Sequence, residues 1–217
     1  QGALGVSGRG GQLAVVQPVV RHQPVAADQL QQVLDQRPPN ALRDDMWAHL
    51  CCEQALLAFS AGNYGVGAIL VNADDELVCE ARNQVFVRDM EEGAEPDGGY
   101  QSQRHAEMQI LDRLETEFAH LDRRSLTLYV SLEPCLMCSG RILLSGIGRV
   151  RYLASDKAGG FISHLHGLPP AWKNLASGVE VEEALIQGFW RNFAHDCVEH
   201  SAAQMREKVV QAWKGNS

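Results

Sequence analysis

Two short segments of this chain carry residue types that do chemistry at defined spacing: His105-Ala106-Glu107 and Pro134-Cys135-Leu136-Met137-Cys138. They supply one imidazole, two thiols and one carboxylate. Zinc prefers tetrahedral thiolate and imidazole ligands, and a catalytic zinc keeps three protein ligands and an open fourth position. His105, Cys135 and Cys138 fill that prescription, which leaves the Glu107 carboxylate free to move protons. Zinc would lower the pKa of a bound water from about 15.7 towards about 7, so hydroxide is available at neutral pH. A carboxylate placed beside it can take the proton and return it to a leaving group.

The spacing predicts how these side chains are held. Cys135 and Cys138 lie three apart, which on a helix puts both sulfurs on one face. Pro134 is expected to open that helix, because its missing N–H costs nothing in the first turn. A helix N-terminus also favours the thiolate over the thiol. His105 opens a second helical pattern in which Ala106, Ile110, Leu111, Leu114 and Phe118 form an apolar stripe. The His and the Glu then emerge in its first turn, beside the Cys pair if the two helices pack together. A CxxC alone also reads as half of a structural zinc site or as a redox dithiol. The redox motif belongs to a different strand–helix context and does not call for His105. A structural zinc wants a fourth protein ligand, and no other Cys or His lies at ligand spacing from the pair.

The surrounding sequence sets the frame. Residues 1–40 are rich in Gly, Gln and Pro and read as a weakly structured arm with one short helical stretch over 26–35; Pro38-Pro39-Asn40 marks the boundary. From 41 to 217 the pattern reads as one globular domain with a helical C-terminal extension, and 45% hydrophobic content is ample for a core. A helix is expected over 41–62, a β-hairpin from GVGAILVN and ELVCEAR, strands at SLTLYVSL and RVRYLAS, and a short strand around 179–181. Helical sequence then runs from 183 to about 213. After the hairpin, strands alternate with helices, which implies an α/β sandwich with a mixed sheet. Cys51, Cys52, Cys79 and Cys197 fall in apolar patterns and read as buried free thiols, pointing to a reducing cytosol. No apolar run is long enough to span a membrane.

From about 41 to 193 the chain resembles the cytidine-deaminase-like superfamily, on the branch that holds tRNA adenosine deaminases and guanine deaminases. The matching stretches are VGAILVN, the Asn83 after the hairpin, HAE, LEPCLMCSG and RVRYLASDKAGG. The resemblance implies a three-layer α-β-α sandwich with a mixed five-stranded sheet, a zinc cofactor and a homodimeric assembly. It implies that His105, Cys135 and Cys138 hold zinc, that Glu107 shuttles protons, and that Asn83, with Ala106, contacts the substrate. Without the resemblance, Asn83 reads as a turn residue closing the hairpin. The chain also departs from its relatives. Its 83–105 loop is longer, Ser102-Gln103-Arg104 replaces their usual approach to the His, and the CxxC lacks the His-x-Gly continuation of riboflavin-pathway deaminases.

Charge bears on the substrate. The net charge is −8, and the loop over 86–100 sets Asp89, Glu91, Glu92, Glu95 and Asp97 against one Arg88. Its plain reading is a solvated surface loop, yet acid beside an active-site mouth repels an RNA backbone. The C-terminal tail balances Arg191, Arg206, Lys208 and Lys214 against Asp196, Glu199 and Glu207 and offers no RNA grip. A small amino-heterocycle (a free base, a nucleoside or a related ring) is therefore favoured over nucleic acid. Arg104 is a candidate for an anionic substrate group and otherwise a surface salt bridge. Phe161, His164 and His166 are weaker candidates, with packing and solvent exposure as their simpler readings. Three functions follow: a small-molecule zinc deaminase, a tRNA adenosine deaminase, or a non-enzymatic zinc-stabilised subunit.

Overall fold

The computed structural model describes residues 27–86 and 99–214. Most of the expected arm and of the acidic loop lies outside the described residues. Six helices and five strands are present among them: α1 (Ala27–Asp35), α2 (Asp45–Ser60), β1 (Gly67–Val71), β2 (Leu77–Arg82), α3 (Ala106–Thr116), β3 (Thr127–Leu132), α4 (Leu136–Ser145), β4 (Arg149–Ala154), α5 (Pro170–Ala176), β5 (Glu180–Glu183) and α6 (Gly188–Trp213).

The strands form one mixed sheet in the order β2-β1-β3-β4-β5. β1 pairs antiparallel with both β2 and β3, and β3, β4 and β5 run parallel. Alternation along each strand sends side chains to opposite faces. Ile69, Val71, Tyr129 and Leu153 pack under α1, α2 and α6. Ala68, Leu70, Leu128, Val130 and Val150 pack under α3 and α4. Both faces are covered, which is why β1 is buried at every residue. The result is the three-layer sandwich expected from the sequence. Cys51, Cys52, Cys79 and Cys197 are free and buried, as their apolar settings required.

Three boundaries differ from the sequence reading, each for a hydrogen-bonding reason. Pro134 does not open α4. Cys135 takes the cap position in extended conformation, because it bridges to Gly160 and the Pro134 carbonyl accepts the Phe161 N–H. The last helix starts at Gly188 instead of near 183, since Glu180–Glu183 continue along β4 as a parallel strand. α2 starts at Asp45 instead of 41, because the Asp45 carboxylate accepts the N–H groups of Ala41 and Leu42, each at 2.8 Å.

Asp44 and Asp45 tie the start of α2 to the β5–α6 connection. Asp44 accepts from the Tyr129 hydroxyl at 3.0 Å and from Leu185 N–H at 2.8 Å. Asp45 accepts from Gln187 N–H at 2.9 Å and from the Gln187 side chain at 2.7 Å. Burial alone would raise both carboxyls. Hydrogen bonds from Arg43, Leu185 and Tyr129 hold Asp44 below its usual 3.8, and those from Ala41, Gln187 and Leu42 do the same for Asp45. A depressed carboxyl stabilises the fold above its unfolded value and loses that contribution as pH falls through the folded one. We predict that Asp45→Ala lowers stability at pH 7 by about 2–4 kcal/mol, because four partly buried donors lose their acceptor. Urea unfolding at pH 7 and pH 3 checks this: the deficit should shrink at the lower pH.

Candidate active site

Two helix starts converge on one point. His105 caps α3 in extended conformation (φ −71, ψ 156) and Cys135 caps α4 in the same way (φ −70, ψ 174). Each cap residue therefore projects its side chain at a helix N-terminus, and Cys138 follows in the first turn of α4. His105 Nδ1 lies 3.7 Å from Cys135 Sγ and 3.5 Å from Cys138 Sγ. All three donor atoms fall within 4.8 Å of one another. Tetrahedral zinc at about 2.3 Å from sulfur and about 2.0 Å from nitrogen separates such ligands by about 3.6 Å, so the set fits the ion.

The protonation of the pair fits it too. The Cys135 thiol is pulled down to about 4 by hydrogen bonding with Cys138, against burial and with help from His105. The same hydrogen bond, followed by burial, pushes Cys138 up. Both sulfurs must be bare to hold a divalent cation, so binding there releases protons. No fourth Cys, His, Asp or Glu joins this cluster among the described residues.

Local ladders set these caps. Gln84 N–H donates to Arg104 O at 2.9 Å and Gln101 N–H to Val85 O at 2.8 Å, so the residues before His105 are strapped to those after β2. Arg104 reinforces the strap: its guanidinium donates to Gln84 Oε1 at 3.2 Å and to Gln109 Oε1 at 3.3 Å. On the α4 side, the buried Glu133 carboxylate accepts from Asp156 N–H at 3.1 Å, Ser163 N–H at 3.2 Å and Ser163 Oγ at 2.6 Å. It thereby holds the loop after β4 against the CxxC segment. Gly160 is required there, because a Cβ would come within 2.5 Å of that carboxylate and 2.6 Å of Asp156 O.

His105, Glu107 and Cys135 line one cavity of about 400 Å³, with Asn83, Val66 and Leu132 on its walls. Glu107 is only 3% exposed. Its Oε2 has no hydrogen-bond partner among the described residues, and burial pushes the carboxyl up while His105 pulls the other way. A buried carboxylate oxygen is costly to leave unpaired, so it marks where a ligand's proton would sit. Asn83 is buried. Its N–H donates to Val66 O at 2.9 Å, and its Oδ1 accepts from Val85 N–H at 3.3 Å.

The other sequence candidates are placed differently. The Ala106 side chain is buried in the core beneath α3, which leaves only its backbone N–H at the helix start. Arg104 is not on the cavity wall and braces two glutamines. Phe161, His164 and His166 lie at or within the 3-10 turn over Ile162–Gly167, and none lines the zinc cavity; His166 lines a separate open groove with Tyr152 and Lys173. Sequence reasoning missed the far wall: Tyr64, Tyr100 and a face of α6 with Val198, Ala202, Arg206 and Val209. The i, i+4, i+8, i+11 spacing of that face was visible, but nothing in the sequence said what it faced. Glu133, adjacent to Pro134, was a readable signal that went unused.

Comparison with known proteins agrees with this geometry. The family model for the cytidine and deoxycytidylate deaminase zinc-binding region matches residues 42–154. The tRNA-specific adenosine deaminase of Bacillus subtilis is 30% identical over 156 residues, covering 69% of this chain and 89% of the relative. A probable cytosine deaminase of Schizosaccharomyces pombe is 33% identical over 96 residues, 44% of this chain and 51% of the relative. Among solved structures, guanine deaminase from Nitrosomonas europaea superposes with a TM-score of 0.52 at 20% identity, covering 80% of this chain and 92% of that one. The likeness to that enzyme is one of fold.

The metal site generates a direct prediction. The purified protein should hold one zinc per chain, and His105→Ala or Cys138→Ser should lose it on gel filtration, whereas Cys79→Ser should keep it. Metal analysis of the eluted protein reads the outcome. Acidification should weaken retention, because the thiolates must stay bare to bind.

Proposed function

Since this chain belongs to the cytidine and deoxycytidylate deaminase zinc-binding family, we propose that it is a hydrolytic deaminase of a nucleobase, nucleoside or related amino-heterocycle. The reaction replaces a ring C–NH₂ with C=O, consuming one water and releasing one ammonia. The observation that carries this reading is the buried, unpartnered Glu107 oxygen in the same cavity as the His105–Cys135–Cys138 set. We assign the activity to residues 41–217, with α6 as their helical extension.

His105, Cys135 and Cys138 would hold zinc, which would supply the Lewis acidity that makes water a nucleophile at neutral pH. Glu107 takes the proton of the attacking water and passes it to the departing amine. Its burial raises the carboxyl, so the carboxylate accepts the water's proton more readily than an ordinary one and the resulting acid stands ready to protonate the amine. Asn83 orients the ring. Its Oδ1 is engaged by Val85, which leaves the amide N–H₂ as the donor for a heterocycle. Val66 and Leu132 keep bulk water from the ring.

The relatives also support a second reading, deamination of adenosine in tRNA, since several bear that activity in their names. The net charge of −8 favours the small substrate. The non-enzymatic reading would want a closed fourth metal position, and the open cavity beside the cluster argues against it. α4 leaves Leu136, Met137 and Leu144 exposed, an apolar surface that suits a second copy of the chain in a homodimer. No helix among the described residues is long and apolar enough to cross a membrane.

The test is ammonia release by the zinc-loaded protein from guanine, adenine, cytosine, their nucleosides and nucleotides, several triazines and a tRNA anticodon stem-loop. We predict turnover of a small member and a loss of about 10²–10⁴ in kcat for Glu107→Gln, with zinc retained. Release only from the stem-loop would replace the small-molecule reading. Release undiminished in Glu107→Gln would remove Glu107 from the chemistry.

A further inference from the structure

α6 does more than cover the sheet. Val198, Ala202, Arg206 and Val209 share one helical face, and all four line the cavity that holds His105 and Glu107. Three of them are apolar and the fourth is a cation. The direction of the helix fixes where that cation sits. Near its middle α6 presses on Gly65, whose Cβ would come within 2.5 Å of Cys197 O, and Gly65 N–H donates to Ser201 Oγ at 3.3 Å. Further along, Lys208 Nζ donates to Gly62 O at 3.2 Å. The helix therefore runs away from β1 and Asn83 towards the loop over 62–64. Arg206 lies about 12 Å along its axis from Val198.

That outer end has its own composition. Tyr64 and Tyr100 line the same cavity. The Phe86 ring joins them, at 6.4 Å from Tyr64 and 5.4 Å from Tyr100, and Lys208 sits over Phe86 at 5.4 Å. Lys208 is thus engaged in holding the wall. Arg206 is not: among the described residues it makes no hydrogen bond or ion pair, and neither do the hydroxyls of Tyr64 and Tyr100. The three groups sense one another. Burial pushes the Tyr64 hydroxyl up, Tyr100 adds to that, and Arg206 pulls the other way. Arg206 is itself exposed to solvent, but it ends an apolar helix face and lines the same cavity wall as two free phenols. Guanidinium and phenol groups are hydrogen-bond donors of the kind that a phosphate or a carboxylate accepts from.

We propose that Arg206, with Tyr64 and Tyr100, forms an anion subsite at the outer end of the reaction cavity, so that the substrate is an amino-heterocycle bearing an anionic substituent. The inference rests on the deaminase reading above, which places the ring at Glu107 and Asn83. A nucleoside monophosphate carries both groups, a base for the Glu107 end and a phosphate for Arg206. A carboxylate in the same place would satisfy the same donors.

Calorimetry on the zinc-loaded Glu107→Gln protein tests this without turnover. The probes are adenosine, guanosine and cytidine, their 5′-monophosphates, the matching 5′-carboxylates, and an anticodon stem-loop. At least one anionic form should bind about ten- to hundredfold more tightly than its neutral nucleoside. Adding Arg206→Gln should collapse that ratio, and Arg206→Lys should restore part of it. A preference for phosphate or for carboxylate identifies the substituent. Equal binding of neutral and anionic forms, a ratio that survives Arg206→Gln, binding confined to the stem-loop, or no binding at all would each overturn the subsite. Ammonia release from a neutral base by the wild-type protein, with no anionic preference, would keep the deaminase and remove the subsite.

Discussion

The site depends on one geometric constraint: two helix N-termini must meet so that an imidazole and two sulfurs fall within 4.8 Å of one another. Neither helix can arrange this alone. α3 contributes His105 as its cap, and α4 contributes Cys135 as its cap with Cys138 one turn in. The cap position matters because its extended backbone aims the side chain off the helix end, where free N–H groups and the helix dipole favour a thiolate. The sheet supplies the alignment. β2 and β3 both run antiparallel to β1, so the chain leaves each at the same end of the sheet and α3 and α4 start on the same side.

Around the His–Cys–Cys set, the buried acids are held in different ways. Glu107 lies in the first turn of α3, two residues beyond the His, and is buried on the cavity side. The buried carboxylates differ in how they are satisfied. Glu133 is saturated by three donors and holds a loop. Asp44 and Asp45 are saturated and hold the start of α2. Glu107 alone among these has an oxygen without a partner, which separates a structural acid from one available to a ligand.

The His–Cys–Cys cluster, the nearby Glu107 and the alternation of strands and helices were legible because each rests on local spacing. HAE and CxxC are read within a few residues, and the apolar stripe of α3 follows from helical periodicity. The boundaries were less legible where distant partners decide them. Pro134 looked like a helix opener until Phe161 took its carbonyl and Gly160 bridged Cys135. The start of α6 was displaced because Glu180–Glu183 found an edge of β4. The cavity wall was the least legible part. Val198, Ala202, Arg206 and Val209 carry no motif, and only the packing of α6 against Gly65 brings them to a site whose ligands lie about 60 to 100 residues earlier. Arg206 looked like one charge of a neutral tail, while Arg104, nearer to the His in sequence, turned out to brace two glutamines.

The central claim is an open, three-donor metal position facing Glu107. X-ray absorption at the zinc edge of the loaded protein tests it most directly. The account predicts two sulfurs at about 2.3 Å, a single imidazole, and one light ligand that exchanges with added substrate or product. A third sulfur, a second imidazole, or a fourth ligand that no added heterocycle displaces would contradict it, since the metal would then be closed by protein and hold the fold without reacting.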